Sequence, residues 1–112
     1  MKVCITATGQ DLKANIDPRF GRCQYLLFVD SETENILEVK KNENIDEQKG
    51  VGITTAQVVA DSQAQAVITG NIGPNAVRVL SQAGIKIYSV DPEMSVTQAL
   101  KKLKTNQLSL VS

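Results

Sequence analysis

The sequence predicts an α/β fold: a mixed five-stranded sheet in the order 3-2-1-4-5, strand 2 antiparallel to the rest, with helices on both faces. Three observations predict it. The first half carries alternating, β-branched runs, two of which flank a polar turn. The second half alternates helix-period segments with short apolar runs, and right-handed crossovers leave few arrangements for such a chain. Ala66 to Thr69 is a brief apolar run that leads through Gly70 and Gly73 to Pro74, which reads as a strand buried on both faces feeding a helix.

Each element has its own signal. Lys2 to Thr8 alternates Val3, Ile5 and Ala7 with Cys4, Thr6 and Thr8, a strand pattern that makes Cys4 a small core residue. Gly9 to Cys23 is a connection of 15 residues broken by Gly, Asp-Pro and Phe-Gly, and loops of that length without regular structure are often functional. Phe20 is its apolar anchor. Gln24 to Asp30 and Asn35 to Lys41 form a hairpin across Ser31 to Glu34, and the charges of the second strand suit an edge that should not recruit other chains. Asn42 to Gly50 is polar and predicts a mobile loop.

Ile53 to Ser62 places Ile53, Ala56, Val59 and Ala60 on one helical face. The next helix runs from Pro74 to about Ala83, with Ala76, Val77, Leu80 and Ala83 inward and Gly84 as its stop. Ile85 to Val90 is a short strand. Ser95 with Gln98 forms a capping box for a last helix, whose stripe is Val96, Ala99, Leu100 and Leu103. The segment 105–112 reads as a loose tail or a weak extra strand on one domain spanning 1–112.

Composition excludes several functions. The chain has 12 basic and 12 acidic residues, so no net field recruits nucleic acid or an anionic membrane. It has no tryptophan and few aromatics to stack on single-stranded bases. Apolar runs such as Tyr25 to Val29 are strand-sized, which predicts no membrane span. Met1-Lys2 leads straight into a strand pattern, not a signal peptide, and this favours the cytoplasm. The absence of histidine excludes Ser-His-Asp and Cys-His catalysis and any zinc site with imidazole ligands.

The predicted topology brings several connections to one edge, outside the carboxyl ends of the strands, where ligands bind in open α/β sheets. Arg19, Arg22, Cys23, Gly50, Gly52, Gly70, Asn71, Gly73 and Asn75 would line a cleft there, offering positive charge, backbone N–H groups and a thiol. If Thr8 lies near Gln24, Cys4 lies near Phe28, and Cys4 and Cys23 are about 13–17 Å apart at ~3.3 Å per residue. That exceeds disulfide reach, roughly 7 Å between Cα atoms. Cys23, beside Arg22, is then the better candidate for a lowered pKa and a reactive or metal-binding thiolate. Plainer readings stand beside these: Asp17-Pro18-Arg19 as a turn with a local ion pair, Arg22 as an exposed flank, and Cys23 as a strand residue facing the core.

The strings Asp17-Pro18-Arg19-Phe20-Gly21-Arg22-Cys23, Gly50-Val51-Gly52-Ile53 and Val67 to Ala76 (VITGNIGPNA), with Ala83 to Tyr88 (AGIKIY), resemble the dinitrogenase iron–molybdenum cofactor biosynthesis family of NifX-like and NifB C-terminal-like domains. The resemblance covers roughly Met1 to Leu103. It implies a three-layer α/β/α ribonuclease H-like motif. It also implies a non-catalytic carrier that binds iron–molybdenum cofactor, or an iron–sulfur precursor, and passes it between metallocofactor assembly proteins. Such carriers hold the cluster with histidine as well as cysteine. This chain lacks histidine, so Cys23 is the only soft metal ligand at the predicted edge.

Two functions follow. One is a carrier or scaffold for an iron–sulfur or iron–molybdenum cluster, held by Arg19, Arg22 and Cys23 with the glycines and asparagines beside it. The other is a metal-free regulatory module that binds a small anion or a partner protein at the same edge and holds no cofactor; in either case the chain is expected to be a monomer or weak dimer. A ribonuclease H-type nuclease is rejected: strand 1 carries no carboxylate for a two-metal site.

Overall fold

The computed structural model describes residues 1–43 and 51–111. Its elements are β1 (Lys2–Ala7), β2 (Tyr25–Asp30), β3 (Ile36–Lys41), α1 (Val51–Asp61), β4 (Ala66–Thr69), α2 (Pro74–Gln82), β5 (Lys86–Ser89), α3 (Val96–Lys104) and β6 (Ser109–Leu110). They build one sheet in the order β3-β2-β1-β4-β5-β6. The predicted order holds, and the segment after α3 adds a sixth, two-residue strand antiparallel to β5.

The register follows the side-chain pattern. β1 pairs antiparallel with β2, with Cys4 opposite Phe28 and Ala7 opposite Tyr25. This is the alignment that buries both strands' alternating sets. β1 and β4 are parallel, Ile5 beside Ile68, and β4 and β5 are parallel, Ile68 beside Tyr88. All four residues of β4 are buried, as a central strand covered on both faces requires.

The two faces have separate cores. On one, Cys4, Leu26, Phe28, Val67 and Ile87 meet Ala56 and Val59 of α1 and Ala76 and Leu80 of α2. On the other, Val3, Ile5, Leu27, Val29 and Ile68 meet Val96, Ala99, Leu100 and Leu103 of α3. The result is three layers. The Ser95 hydroxyl accepts the Gln98 N–H while the Gln98 side chain accepts the Ser95 N–H, so the capping box forms as expected.

Two helix faces differ from expectation. α1 begins at Val51 and buries Thr55, Ala56 and Val59, while Ile53 is 45% exposed. The Thr55 hydroxyl donates to the Gly21 carbonyl at 3.2 Å, a polar contact on the buried face that a purely apolar reading misses. In α2, Ala83 is exposed because the helix ends at Gln82 and Ala83 is its cap. Gly84 follows in the left-handed region at φ 77°. The polar segment 44–50, including Gly50, lies outside the described residues.

Candidate functional site

The connection from Gly9 to Cys23 is stitched down along its length. Thr8 N–H donates to the Asn15 carbonyl at 3.0 Å, Ile16 N–H to Met94 at 2.9 Å, and Asp17 N–H to Thr6 at 2.9 Å. Phe20 N–H reaches the Asn71 carbonyl at 3.1 Å, and Asn71 N–H returns to Pro18 at 2.6 Å. Ile16 and Phe20 are buried, so the middle and the end of the loop each have an apolar anchor. A long irregular connection is tolerated because its backbone N–H groups find acceptors on β1, just after β4 and just before α3.

Asp17 organises the second half of this loop. Its side chain is 1% exposed. One carboxylate oxygen accepts the Arg19 N–H at 3.0 Å, and the other accepts the Gln24 N–H at 3.0 Å. The Arg19 Nε lies 3.5 Å from Asp17 Oδ1, and the Arg19 side chain is 55% exposed. The Thr6 hydroxyl donates to the Asp17 carbonyl at 2.9 Å and shares a 2.8 Å hydrogen bond with the Thr69 hydroxyl, tying the loop to two adjacent strands. The plain sequence reading of a turn with an Asp–Arg pair describes the contact but misses its extent. Asp17 closes both the turn into Arg19 and the entry to β2.

Cys23 is fully buried in the α1/α2-side core. Asn42 Nδ2 donates to the Gly21 carbonyl at 2.9 Å and lies 3.7 Å from Cys23 Sγ. The expected low-pKa thiolate is corrected here. Burial first, and the Asp17 carboxylate second, push the thiol from 9.0 up to about 12. The Asn42 hydrogen bond, a backbone hydrogen bond and Arg19 oppose them only in part. Cys4 is also raised, by burial first, then by Cys23, against an opposing effect of Lys2. Both cysteines are free, as the predicted register requires.

The sign of this shift gives a prediction. A thiol whose folded pKa is raised keeps its full stabilisation below the unfolded value of 9.0 and loses it as pH climbs toward about 12. Between about pH 9 and 10.5, unfolding free energy should fall by about 1.4 kcal/mol per pH unit for this thiol. Urea denaturation across that range should show a slope shallower by that amount in Cys23→Ala.

The other predicted residues separate into groups. Gly70 is occupied by the protein itself, since a Cβ there would lie 2.6 Å from Pro18 Cα. Its close approach is to the loop backbone, and the glycine is required for that reason. Gly21 and Gly52 stand back to back, with a Gly21 Cβ placed 2.9 Å from the Gly52 nitrogen. Gly52, Gly73 and Asn75 do come together. With Val51, Ile53, Pro74 and Ala76 they line a cavity of about 200 Å³ between the starts of α1 and α2. Gly73 caps α2 with extended backbone and no side-chain hydrogen bond, and a Cβ on it would meet nothing within 4 Å. Helix geometry leaves the Asn75 and Ala76 N–H groups without intrahelical acceptors.

Arg19 lines a different cavity of about 290 Å³, with Gln24, Tyr25, Lys41 and Asn42. Its backbone bridges to Asn71, and Asn71 is exposed. Arg22 is half-buried and lines neither cavity. Lys41, Tyr25 and Asn42 reach the site by the β2–β3 register, Tyr25 opposite Lys41, and no local motif marks them. The edge therefore offers two cationic side chains at one cavity and two helix starts at the next, with the thiol enclosed beneath. Among the described residues no three or more His, Cys, Asp or Glu are grouped to hold a metal ion. None of the described helices is long and apolar enough to cross a membrane.

Comparison with known proteins places the chain in a family. A family model described as dinitrogenase iron-molybdenum cofactor matches residues 1–106. An uncharacterised protein of Methanocaldococcus jannaschii is 34% identical over 88 residues, covering 77% of this chain and 74% of that one. The apo form of the orange protein from Desulfovibrio gigas superposes with a TM-score of 0.93 at 34% identity, covering 99% of this chain and 92% of that one. An NMR structure from Thermotoga, described as a NifB candidate, gives a TM-score of 0.82 at 29% identity, with 98% and 92% covered.

Proposed function

The chain belongs to the dinitrogenase iron-molybdenum cofactor family, and on that premise we propose that it is a small non-catalytic carrier for an anionic metal–sulfur cluster or its precursor. Its cargo would pass to and from metallocofactor assembly proteins in the cytoplasm. The observation that carries this reading is the cavity shared by the starts of α1 and α2, where Gly73 leaves the first turn of α2 without a side-chain cap. First-turn residues of both helices line that space, and helix N-termini favour negative charge. Arg19 and Lys41 add positive charge on the same edge. One structural relative, the orange protein of Desulfovibrio gigas, is an apo form, which supports a removable group.

The donor set fits an anion held through its outer sulfur or oxygen atoms. Direct ligation by Cys23 would need its fully buried side chain to be uncovered. Metal retention should therefore depend on charge and backbone donors. The test is anaerobic reconstitution with iron and sulfide, followed by gel filtration and metal analysis. Wild type and Cys23→Ala should retain metal, and Arg19→Ala should retain less, with the loss growing as salt is raised. Loss of all metal in Cys23→Ala would restore the thiolate as a ligand.

A second reading is favoured by the same enclosed thiol. The edge would bind a small anion or a partner protein and no metal. Failure of wild type to retain any metal, with inorganic phosphate or sulfate still protecting the protein against thermal unfolding, would select it.

A further inference from the structure

β3 forms one edge of the sheet, and among the described residues nothing pairs with its outer side. Leu37 is 56% exposed and Val39 is 37% exposed, so this edge keeps apolar surface in water. The hydrogen-bond parity of this edge can be read from its inner ladder. Asn42 N–H donates to the Gln24 carbonyl at 3.0 Å, two residues beyond the Leu26–Lys40 pair. In an antiparallel ladder the bonded pairs alternate, so Lys40 and Glu38 also direct their N–H and C=O groups toward β2. Val39 and Lys41 direct theirs outward.

We propose that β3 recognises a second copy of this chain, pairing antiparallel with itself so that two sheets become one, with Val39 on the twofold axis. Three features select this register. Val39 faces outward, so two Val39 residues can exchange both N–H···O bonds across the axis. Glu38 then stands opposite the partner's Lys40, and Lys40 opposite the partner's Glu38. These are non-hydrogen-bonded positions, where opposed side chains come closest. Within one chain Glu38 and Lys40 lie 3.8 Å apart on the same face, each about half exposed, so both charges are available at that position. Leu37 and Val39 lose exposed apolar surface in the pairing. Singly, these charges guard an edge. Across a twofold they are self-complementary, as an isologous interface requires. The pairing is short, and the β-bulge beside Phe28 and Val29 limits it at the Leu37 end, so the dimer is weak.

The test is sedimentation equilibrium at low salt from about 10 μM to about 1 mM protein. Wild type should show a concentration-dependent monomer–dimer equilibrium. Glu38→Lys places lysine opposite lysine twice and should weaken the dimer by about tenfold or more. The double variant Glu38→Lys with Lys40→Glu restores both opposed pairs and should recover it. Val39→Pro removes only an outward N–H, leaves the ladder to β2 intact, and should abolish the dimer while circular dichroism shows a native fold. If Val39→Pro does not fold, the charge pair of variants decides alone. A wild type that stays monomeric throughout overturns the proposal. So does a dimer indifferent to Glu38→Lys, or one that the double variant fails to recover.

Discussion

Asp17→Ala should lower the unfolding free energy by about 3 kcal/mol. The carboxylate is buried and accepts the Arg19 and Gln24 N–H groups, each at 3.0 Å. Charge-assisted bonds of this kind contribute about 1.5–3 kcal/mol each, and alanine leaves both donors without an acceptor. Asp17→Asn should recover only part of the loss. Its single carbonyl oxygen can accept one of the two N–H groups, and its amide then points a donor at the other. Guanidinium unfolding measures the difference, and hydrogen exchange at Arg19 and Gln24 locates it. The Arg19 and Gln24 amides should exchange faster in Asp17→Ala than those of β4, where the ladder is untouched. A change under about 1 kcal/mol would mean that Asp17 does not hold the loop.

Gly70→Ala should cost about 2–3 kcal/mol by forcing the loop away from the end of β4. The new methyl would meet Pro18 Cα at 2.6 Å and its carbonyl oxygen at 3.0 Å, and both are backbone atoms with no side-chain rotation to relieve them. The Asn71–Pro18 and Phe20–Asn71 hydrogen bonds lie in the path of that shift. Gly73→Ala is the matched control, since its methyl meets nothing within 4 Å. It should change stability by no more than about 1 kcal/mol, the ordinary range for a cap position. Thermal unfolding of the pair therefore separates two glycines of one turn by their surroundings. Equal effects would contradict the packing of the loop on Gly70.

The sheet was legible because its pairings follow from simple patterns. Aligning Thr8 with Gln24 places Cys4 against Phe28, and that is the register found. The capping box at Ser95 and Gln98 fixed the start of α3 from local chemistry. What escaped sequence reasoning depends on contacts between distant segments. The buried face of α1 includes Thr55, whose hydroxyl donates to the Gly21 carbonyl, a polar bond between residues 34 positions apart. Gly70 looked like a place for a ligand to approach, and Pro18 fills it. Cys23 looked activated beside Arg22, yet burial and Asp17 decide its protonation. Of the residues expected at one edge, Gly52, Gly73 and Asn75 line one cavity, because each sits in the first turn or cap of a helix.

The central claim is that the starts of α1 and α2, with Arg19 in the neighbouring cavity of the same edge, hold an anionic cargo. Amide NMR of the isotope-labelled protein during anaerobic addition of iron and sulfide tests it most directly. The N–H signals of Gly52, Ile53, Gly73, Asn75, Ala76 and Arg19 should broaden or shift first and saturate together. Changes centred instead on the opposite end of the sheet, at Gln63 to Gln65 and Gly84 to Lys86, would contradict the account.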